Sequence, residues 1–503
     1  MSQANDQQQI AEDTQVLHSM GYAQELARRM KSFSNFAIAF SIICILSGGI
    51  NSLGQAIGGA GGAAIGIGWP IGVGISFLFA LGMAQIASAY PTAGGLYHWS
   101  SILGGRGWGW ATGWLNLLGL VTVLGAINVG TFFFFIGAFG TTLGLEGNLT
   151  TQIIFLMILT SIQAAVNHFG IRLTTMLTDF SGYLIFVVAI ALTLALIIYA
   201  PTRDFARLFT FTNYSGEAGG SVWPSTDLTT VFLLGLLLPI YTITGYDACA
   251  HVSEETVNAQ RSVPKSIISS TLWSGLFGYI MLCAFVLAIP DMNEAAKTGF
   301  GVFFYVMDKI VPSGVREVLY VGIFLSQFLC GLATVTSASR MIFAFARDGG
   351  FPSFLKVINK TYRTPVAAIW VAGMISILFT LYAPVYTTIV TICVIFLFLS
   401  YAMPIAAGFM AYGKTWTKMG PWDMGPSFKI VAIAVVAAII FIFGIGIQPP
   451  NDKALWVTLG MFALLIAAWF GLEKNRFTGP PTGEDIAKRQ AAIKAAEKAI
   501  GND

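Results

Sequence analysis

The sequence predicts an all-α integral membrane protein with twelve transmembrane helices, and three observations carry that expectation. Hydrophobic residues make up 55% of the 503-residue chain and charged residues only 10%, against roughly 25% charged in an average soluble protein. Twelve apolar stretches have the roughly 17 to 25 residues that a helix needs to cross a bilayer. They lie at 34–58, 67–90, 108–137, 151–169, 176–200, 228–252, 266–289, 316–343, 364–382, 385–411, 427–447 and 453–472. Two of them, spans 1 and 6, are interrupted by glycine where the chain is still at membrane depth. No stretch is left over for the large soluble domain of an enzyme or a receptor.

The charges orient these spans. Residues 1–30 are polar and span 1 carries its own flank, Arg28-Arg29-Met30-Lys31, so no secretory leader is expected ahead of it. With the N-terminus in the cytoplasm, twelve crossings return the C-terminus to the same side. Of 27 Lys and Arg, only Arg203, Arg207, Lys297, Lys309, Arg316 and Lys453 then fall outside. This asymmetry follows the positive-inside rule. It predicts a multi-pass protein of the plasma (inner) membrane, in contact with lipid, with both termini cytoplasmic. The net charge of +3 reflects those loops and gives no case for nucleic acid. Cys44, Cys249, Cys283, Cys330 and Cys393 are scattered through apolar spans with no CxxC pair or Cys/His cluster, so they are expected to pack, and no metal site or cofactor is expected.

In chain order, residues 1–20 are Gln-rich and polar and are expected to be unstructured, and Leu26, Met30 and Phe33 suggest a short amphipathic helix on the cytoplasmic face. Span 1 breaks at Ser47-Gly48-Gly49. Adjacent glycines let the backbone open, and a half-helix starting at Ile50, with Asn51 beside it, turns its positive dipole end toward the gap. Such an end favours a carboxylate or another anion. Close helix packing is the competing reading of the same glycines.

After span 2, Pro91 and Gly94-Gly95 force a cytoplasmic turn that starts a short interfacial helix, and Trp99, Trp108, Trp110 and Trp114 read as an interfacial belt. Asn116 and Asn128 in span 3 are expected to tie helices together. His168 and Asp179 sit at cytoplasmic span ends as ordinary interfacial groups. The segment 201–225 is polar and external, and 290–315 is expected to form a short external helix over the outer mouth.

The stretch from Thr230 to Lys265, TVFLLGLLLPIYTITGYDACAHVSEETVNAQRSVPK, is the most informative. Its apolar pattern stops at Thr244-Gly245, Pro239 precedes the break, and the ionisable Asp247 follows it. Backbone released inside hydrocarbon survives only where protein or water satisfies it, so a broken span is expected to line a polar cavity. In span 8, Thr334, Thr336, Ser337 and Ser339 read in two ways, as oxygens for Na⁺ or as hydroxyls bonded back to their own helix. Ala346-Arg347-Asp348-Gly349-Gly350 closes that span with a Gly cap. Spans 9 to 12 hold no acidic or basic residue at depth, which suits a scaffold or a dimer surface and leaves monomer and homodimer both open. The tail 484–500 is a short Ala-rich helix.

Paired interruptions five spans apart are the sequence sign of an inverted-repeat transporter with a site at the bilayer midplane. The chain then divides into a cytoplasmic N-terminal segment (1–32), a first five-helix repeat (33–200), a second inverted repeat (201–411), helices 11 and 12 (412–475) and a cytoplasmic tail (476–503). A zwitterion entering the site exchanges water for N–H groups at one break and for freed carbonyls near Thr244 at the other. An acid at that depth is functional by default. Asp247 either holds and releases a proton or locks the two broken helices together. Tyr241 and Tyr246 either close over the solute, with a cation–π face for a quaternary amine, or simply pack. A channel lacks support because no pore loop repeats. HExxH, paired aspartates and a Ser/His arrangement are also missing, which argues against an enzyme.

Four motifs in order, LSGGI in span 1, PTAGGLYHWSS after span 2, GYDACAHVSEETVNAQRSVPKSI at span 6 and ASRMIFAFARDGGFP ending span 8, resemble the amino acid–polyamine–organocation superfamily. The opening GYAQELARRMKSFSNFAIAFSII is most similar to the amino acid/choline transporter family, which includes GABA permeases, and the similarity extends from about Gly21 to Phe470. The resemblance implies a LeuT-like five-plus-five inverted repeat with two extra helices, working by alternating access as a secondary active importer of a small amino acid or amine. It implies a substrate carboxylate at Ser47, Gly48, Gly49 and Ile50, and an amine at carbonyls of Tyr241, Ile243, Thr244 and Gly245. It also implies a proton-sensitive hinge at Asp247 and gate or structural pairs from Glu254, Glu255, Asn258 and Arg261. H⁺ is the expected coupling ion. Na⁺ coupling through residues such as Thr334 and Ser337, substrate exchange and a choline or polyamine permease are the alternatives. One departure stands out: residues 180–197 of span 5 contain no Lys, so coupling through a lysine there does not transfer.

Overall fold

A computed structural model describes residues 2–215, 227–382, 386–449, 451–481 and 484–499. The external segment predicted at 201–225 therefore lies partly outside the described residues. Among the described residues, ten helices are long and apolar enough to cross a membrane, and two shorter apolar ones, Leu228–Thr242 and Val366–Leu381, stand at spans 6 and 9. Each predicted stretch thus coincides with an apolar helix. No strand occurs among the described residues, only the isolated bridges Met30 to Thr256 and Tyr412 to Trp416.

Span 3 (Arg106–Phe135), span 8 (Ser313–Arg347) and span 10 (Tyr386–Ala411) surround the two broken spans. Spans 5, 11 and 12 present apolar side chains outward: Ile198, Ile430 and Phe470 are each about two-thirds exposed. A soluble monomer rarely shows such continuous apolar surface, whereas a protein standing in lipid needs it.

Several expectations near the ends change. Residues Ser2–Ser19 form a helix despite their polar composition. Tertiary contacts hold it: Asp13 accepts from the backbone N–H of Asn258 and Ala259, Leu17 is buried, and His18 pairs with Glu497 at 2.7 Å. The following segment is extended instead of helical, because Arg29 and Met30 donate to the Glu255 carbonyl and Val257 donates back to Met30. Trp99 and Trp110 are core residues and Trp114 is half-buried; only Trp108 is exposed in the manner of an interfacial belt. Beyond span 7, Met292–Lys297 and Val302–Ile310 form short helices.

Candidate functional site

Span 1 starts as a helix at Ser32–Ile42 and leaves it at Cys44, with φ −37° and ψ 101°. A wide turn over Ile45–Gly49 follows, then the helix Leu53–Ala60. The break therefore lies three residues earlier than the glycines suggested, and the positive end of the outer half begins at Ile45 instead of Ile50. The glycines serve contact. A Cβ on Gly48 would stand 2.8 Å from Thr242 Oγ1 and 3.0 Å from Thr242 Cα, so its absence lets spans 1 and 6 touch.

Span 6 stops at Thr242, and residues 243–247 are not helical. Gly245 adopts φ +93°, and a Cβ there would meet Ile42 Cγ2 at 2.2 Å, so both conformation and space demand glycine. Thr244 Oγ1 donates to the Tyr241 carbonyl at 2.8 Å. Among the described residues no hydrogen bond reaches the carbonyls of Ile243 and Thr244. Buried carbonyls are nearly always paired, so these two are free to accept a cation's protons.

Asp247 is fully buried beside this gap. Tyr401 Oη on span 10 donates to its Oδ1 at 2.8 Å and takes the Gly245 N–H at 3.2 Å. Asn116 Nδ2 on span 3 donates to Oδ2 at 3.1 Å, and His251 Nε2 lies 3.3 Å from the same oxygen. Asn116 thus reaches the acid at the break, beyond the helix tie expected of it. Span 10 likewise is more than scaffold. The Tyr246 ring packs 5.1 Å from Tyr401, and its buried hydroxyl has no partner among the described residues.

Span 8 answers span 1. Gln327 Nε2 donates to the Leu46 carbonyl at 2.9 Å and its Oε1 accepts from Asn51 at 3.3 Å, while Cys330 Sγ reaches the Ile42 carbonyl at 3.3 Å. Nothing in the sequence marks this role for Gln327, because a lone amide in an apolar run reads as helix packing. Thr334 Oγ1 bonds back to Cys330 O at 2.9 Å, as do Thr336 and Ser339 to their own turns. Ser337 Oγ alone of the four hydroxyls is buried without a partner among the described residues.

Outside the break lies a cavity of about 520 Å³ bounded by Ile50, Asn51, Phe134, Phe300, Phe303 and Tyr386. Tyr386 joins it to the centre, with Ser52 Oγ 3.1 Å from its hydroxyl and the Tyr241 ring 6.5 Å away, edge-on. Of the predicted site residues, Ile50 and Asn51 border this cavity. Ser47, Gly48, Gly49, Tyr241, Ile243, Thr244, Gly245 and Tyr246 are buried and do not line it.

The motif after span 6 is bolted to span 8. Arg347 makes two bonds to Glu254, at 2.8 and 3.0 Å, and Arg340 two to Glu255, at 3.0 and 3.1 Å. Two-pronged guanidinium–carboxylate pairs of this kind are directional as well as strong. Asn258 turns the chain at φ +54°, and Arg261 is exposed. Among the described residues no group of three or more His, Cys, Asp or Glu could hold a metal.

A family model for amino acid permeases matches residues 31–470. The chain is similar to amino-acid permease BAT1 of Arabidopsis thaliana, 31% identical over 92% of this chain and 95% of that one. It is 30% identical to the BAT1 homolog of Oryza sativa subsp. japonica, over 93% and 95% of the two chains. The GABA-specific permease of Saccharomyces cerevisiae matches at 29% over 72% of this chain and 64% of its own.

Proposed function

The chain belongs to the amino acid permease family, and from that premise we propose that it imports a small amino acid or amine of GABA-like size across the plasma membrane by alternating access, driven by protons. Members of the family are transporters and not enzymes. The proposed framework is twelve spans in a five-plus-five inverted repeat with two further helices, both termini cytoplasmic.

The unanswered carbonyls of Ile243 and Thr244 carry the reading. They supply the oxygens an ammonium group needs when it sheds water, and the N–H groups of the outer half of span 1, beginning at Ile45, supply donors for a carboxylate. No full charge is needed at either end. The outer cavity has the volume of an ordinary small-molecule site and serves as the approach from outside. The Glu254–Arg347 and Glu255–Arg340 pairs close the inner side. Import requires the two broken helices, now in contact at Gly48 and Thr242, to part around the solute. Asp247 couples the movement to a proton.

A sodium-coupled reading is favoured by one observation, the unpartnered buried hydroxyl of Ser337. Uptake of labelled GABA, glycine and L-alanine into proteoliposomes with an inward pH gradient and no Na⁺ separates the two. Accumulation above background is expected, and D247N is expected to lower it at least tenfold. Background uptake that Na⁺ restores would replace protons by sodium.

A further inference from the structure

We propose that Asp247 and His251 act as one proton-holding unit, a carboxyl–imidazole pair that shares a single extra proton in the middle of the protein. The inference deepens the proton-driven reading above and rests on it for its role in transport, though not for its chemistry.

The two ring nitrogens of His251 have different partners. Nδ1 lies 3.2 Å from the Ala93 carbonyl, and Nε2 lies 3.3 Å from Asp247 Oδ2. A carbonyl only accepts, so the hydrogen between Ala93 and the ring belongs to Nδ1. In a neutral ring that leaves a lone pair on Nε2, pointed at a carboxyl oxygen. Two lone pairs do not hold that contact together. A proton must lie between them, either on Asp247 as a carboxylic acid donating to Nε2 or on Nε2 as an imidazolium donating to the carboxylate. Both forms carry the same proton and the same net charge of zero.

Burial makes that neutrality matter. Both side chains are completely inaccessible. The groups around the pair are Asn116 from span 3, Tyr246 and Cys249 from span 6, and Tyr401 and Cys393 from span 10. None is a cation. The arginines buried nearby in the chain's fold are engaged elsewhere, Arg347 by Glu254, Arg340 by Glu255 and Arg28 by the Ser253 and Thr256 carbonyls. Removing the proton leaves one uncompensated negative charge in a dry interior, a state that buried groups avoid. The pair therefore keeps its proton until water or a substrate ammonium reaches the span 6 break.

The same contacts give the proton a way out. His251 stands one helical turn beyond Asp247, and its Nδ1 partner, Ala93, belongs to the turn between spans 2 and 3. The Ala93 N–H donates to Glu254 at 3.0 Å, and Glu254 holds Arg347. Opening the inner gate at Glu254–Arg347 pulls on the residue that fixes the His251 tautomer. Once Ala93 moves away, Nδ1–H is freed toward the cytoplasm, and the proton passes from Oδ2 to Nε2 as the Nδ1 proton leaves. The step balances: the Nδ1 proton leaves, the Oδ2 proton takes a place on the ring at Nε2, and the pair is left as a carboxylate beside a neutral Nε2–H imidazole until Asp247 takes up a new proton.

Only four histidines occur in the chain, so nitrogen-15 NMR of the full-length protein, labelled at histidine and held in lipid nanodiscs at pH 7, reads the pair directly. H251Q identifies the His251 signals by their loss. The expected result is a protonated Nδ1 together with an Nε2 that is protonated or strongly hydrogen bonded, and an Nε2 signal that moves in D247N. A bare Nδ1 with an Nε2–H, or His251 signals indifferent to D247N, overturns the proposal. Where D247N does not fold, the wild-type tautomer alone decides. The spectrum needs no substrate, so it stands apart from transport. Failure of proton-driven uptake with the paired signature intact rejects the coupling and keeps the pair. Proton-driven uptake with a bare Nδ1 rejects the pair and keeps the coupling.

Discussion

The two breaks look alike in sequence, each a span with glycine at its centre, yet they are finished differently. In span 1 the opened backbone is answered by neutral side chains of span 8: Cys330 on the Ile42 carbonyl and Gln327 on the Leu46 carbonyl. In span 6 the carbonyls of Ile243 and Thr244 stay unanswered, a left-handed glycine makes the bend, and a buried acid sits one turn on. Opened backbone within a membrane is tolerated where protein satisfies it or where it serves a solute. On the proposed function, span 1 is the more fixed wall of the site and span 6 its more reactive side.

Three glycine-to-alanine variants test that division. G245A is expected to be the most damaging, since it combines a left-handed backbone, about 1–2 kcal/mol, with a Cβ 2.2 Å from Ile42 Cγ2. G48A comes second: its Cβ meets Thr242 backbone at 3.0 Å, an overpacking of about 1–3 kcal/mol. G49A finds no neighbour nearer than 3.8 Å and is expected to be neutral within about 0.5 kcal/mol. Melting temperature in detergent, read beside uptake, ranks them. A G49A as harmful as G245A would return the Gly-Gly pair to the role of opening the backbone.

Q327A sharpens the comparison from the other side. It strips the donor from the buried Leu46 carbonyl, a loss of about 1–3 kcal/mol, and releases Asn51 at the edge of the cavity. A several-fold rise in KM with kcat nearly unchanged is expected, because a wall residue positions and does not move. A loss confined to kcat in transport assays would mean that span 1 shares in the working step.

Much of this was legible beforehand, for definite reasons. Apolar runs report directly on the bilayer, so the helices and their places along the chain follow from composition. The span 6 break was legible because Gly245 and Asp247 are both residues that a closed helix in lipid disfavours. The exact place of the span 1 break is not legible, because an ordinary Cys44 makes the bend while the conspicuous Gly48 allows contact. Asn116, Tyr401, Gln327 and His251 could not be assigned, since each acts through a partner more than a hundred residues away or through a ring nitrogen whose neighbour is a backbone carbonyl. The helix Ser2–Ser19 is not legible in the sequence because its order comes from Asp13 and His18 reaching distant groups, not from an apolar stripe.

A milder effect than those of G245A and G48A concerns the segment that leads into span 1. Tyr22 donates to Asp348 Oδ2 at 2.6 Å, Tyr97 donates to the same oxygen, and Arg489 of the tail helix lies 3.7 Å from Oδ1. Burial raises the Asp348 carboxyl to about 7, against the pull of Tyr22 and Arg489 in the other direction. An unfolded aspartate titrates near 3.9, so between about pH 4 and 7 the folded chain holds a proton that the unfolded chain has released. That contribution is complete below the unfolded value and is lost as pH rises through 7. Wild type is therefore expected to melt about 2 °C lower at pH 8 than at pH 5 on this account, and D348N, which cannot ionise, to show a flatter profile. Parallel melting curves for wild type and D348N would show that the docked termini do not sense pH through this carboxyl. A slope that disappears in D247N while persisting in D348N would move the sensitive group from the approach to span 1 to the break in span 6.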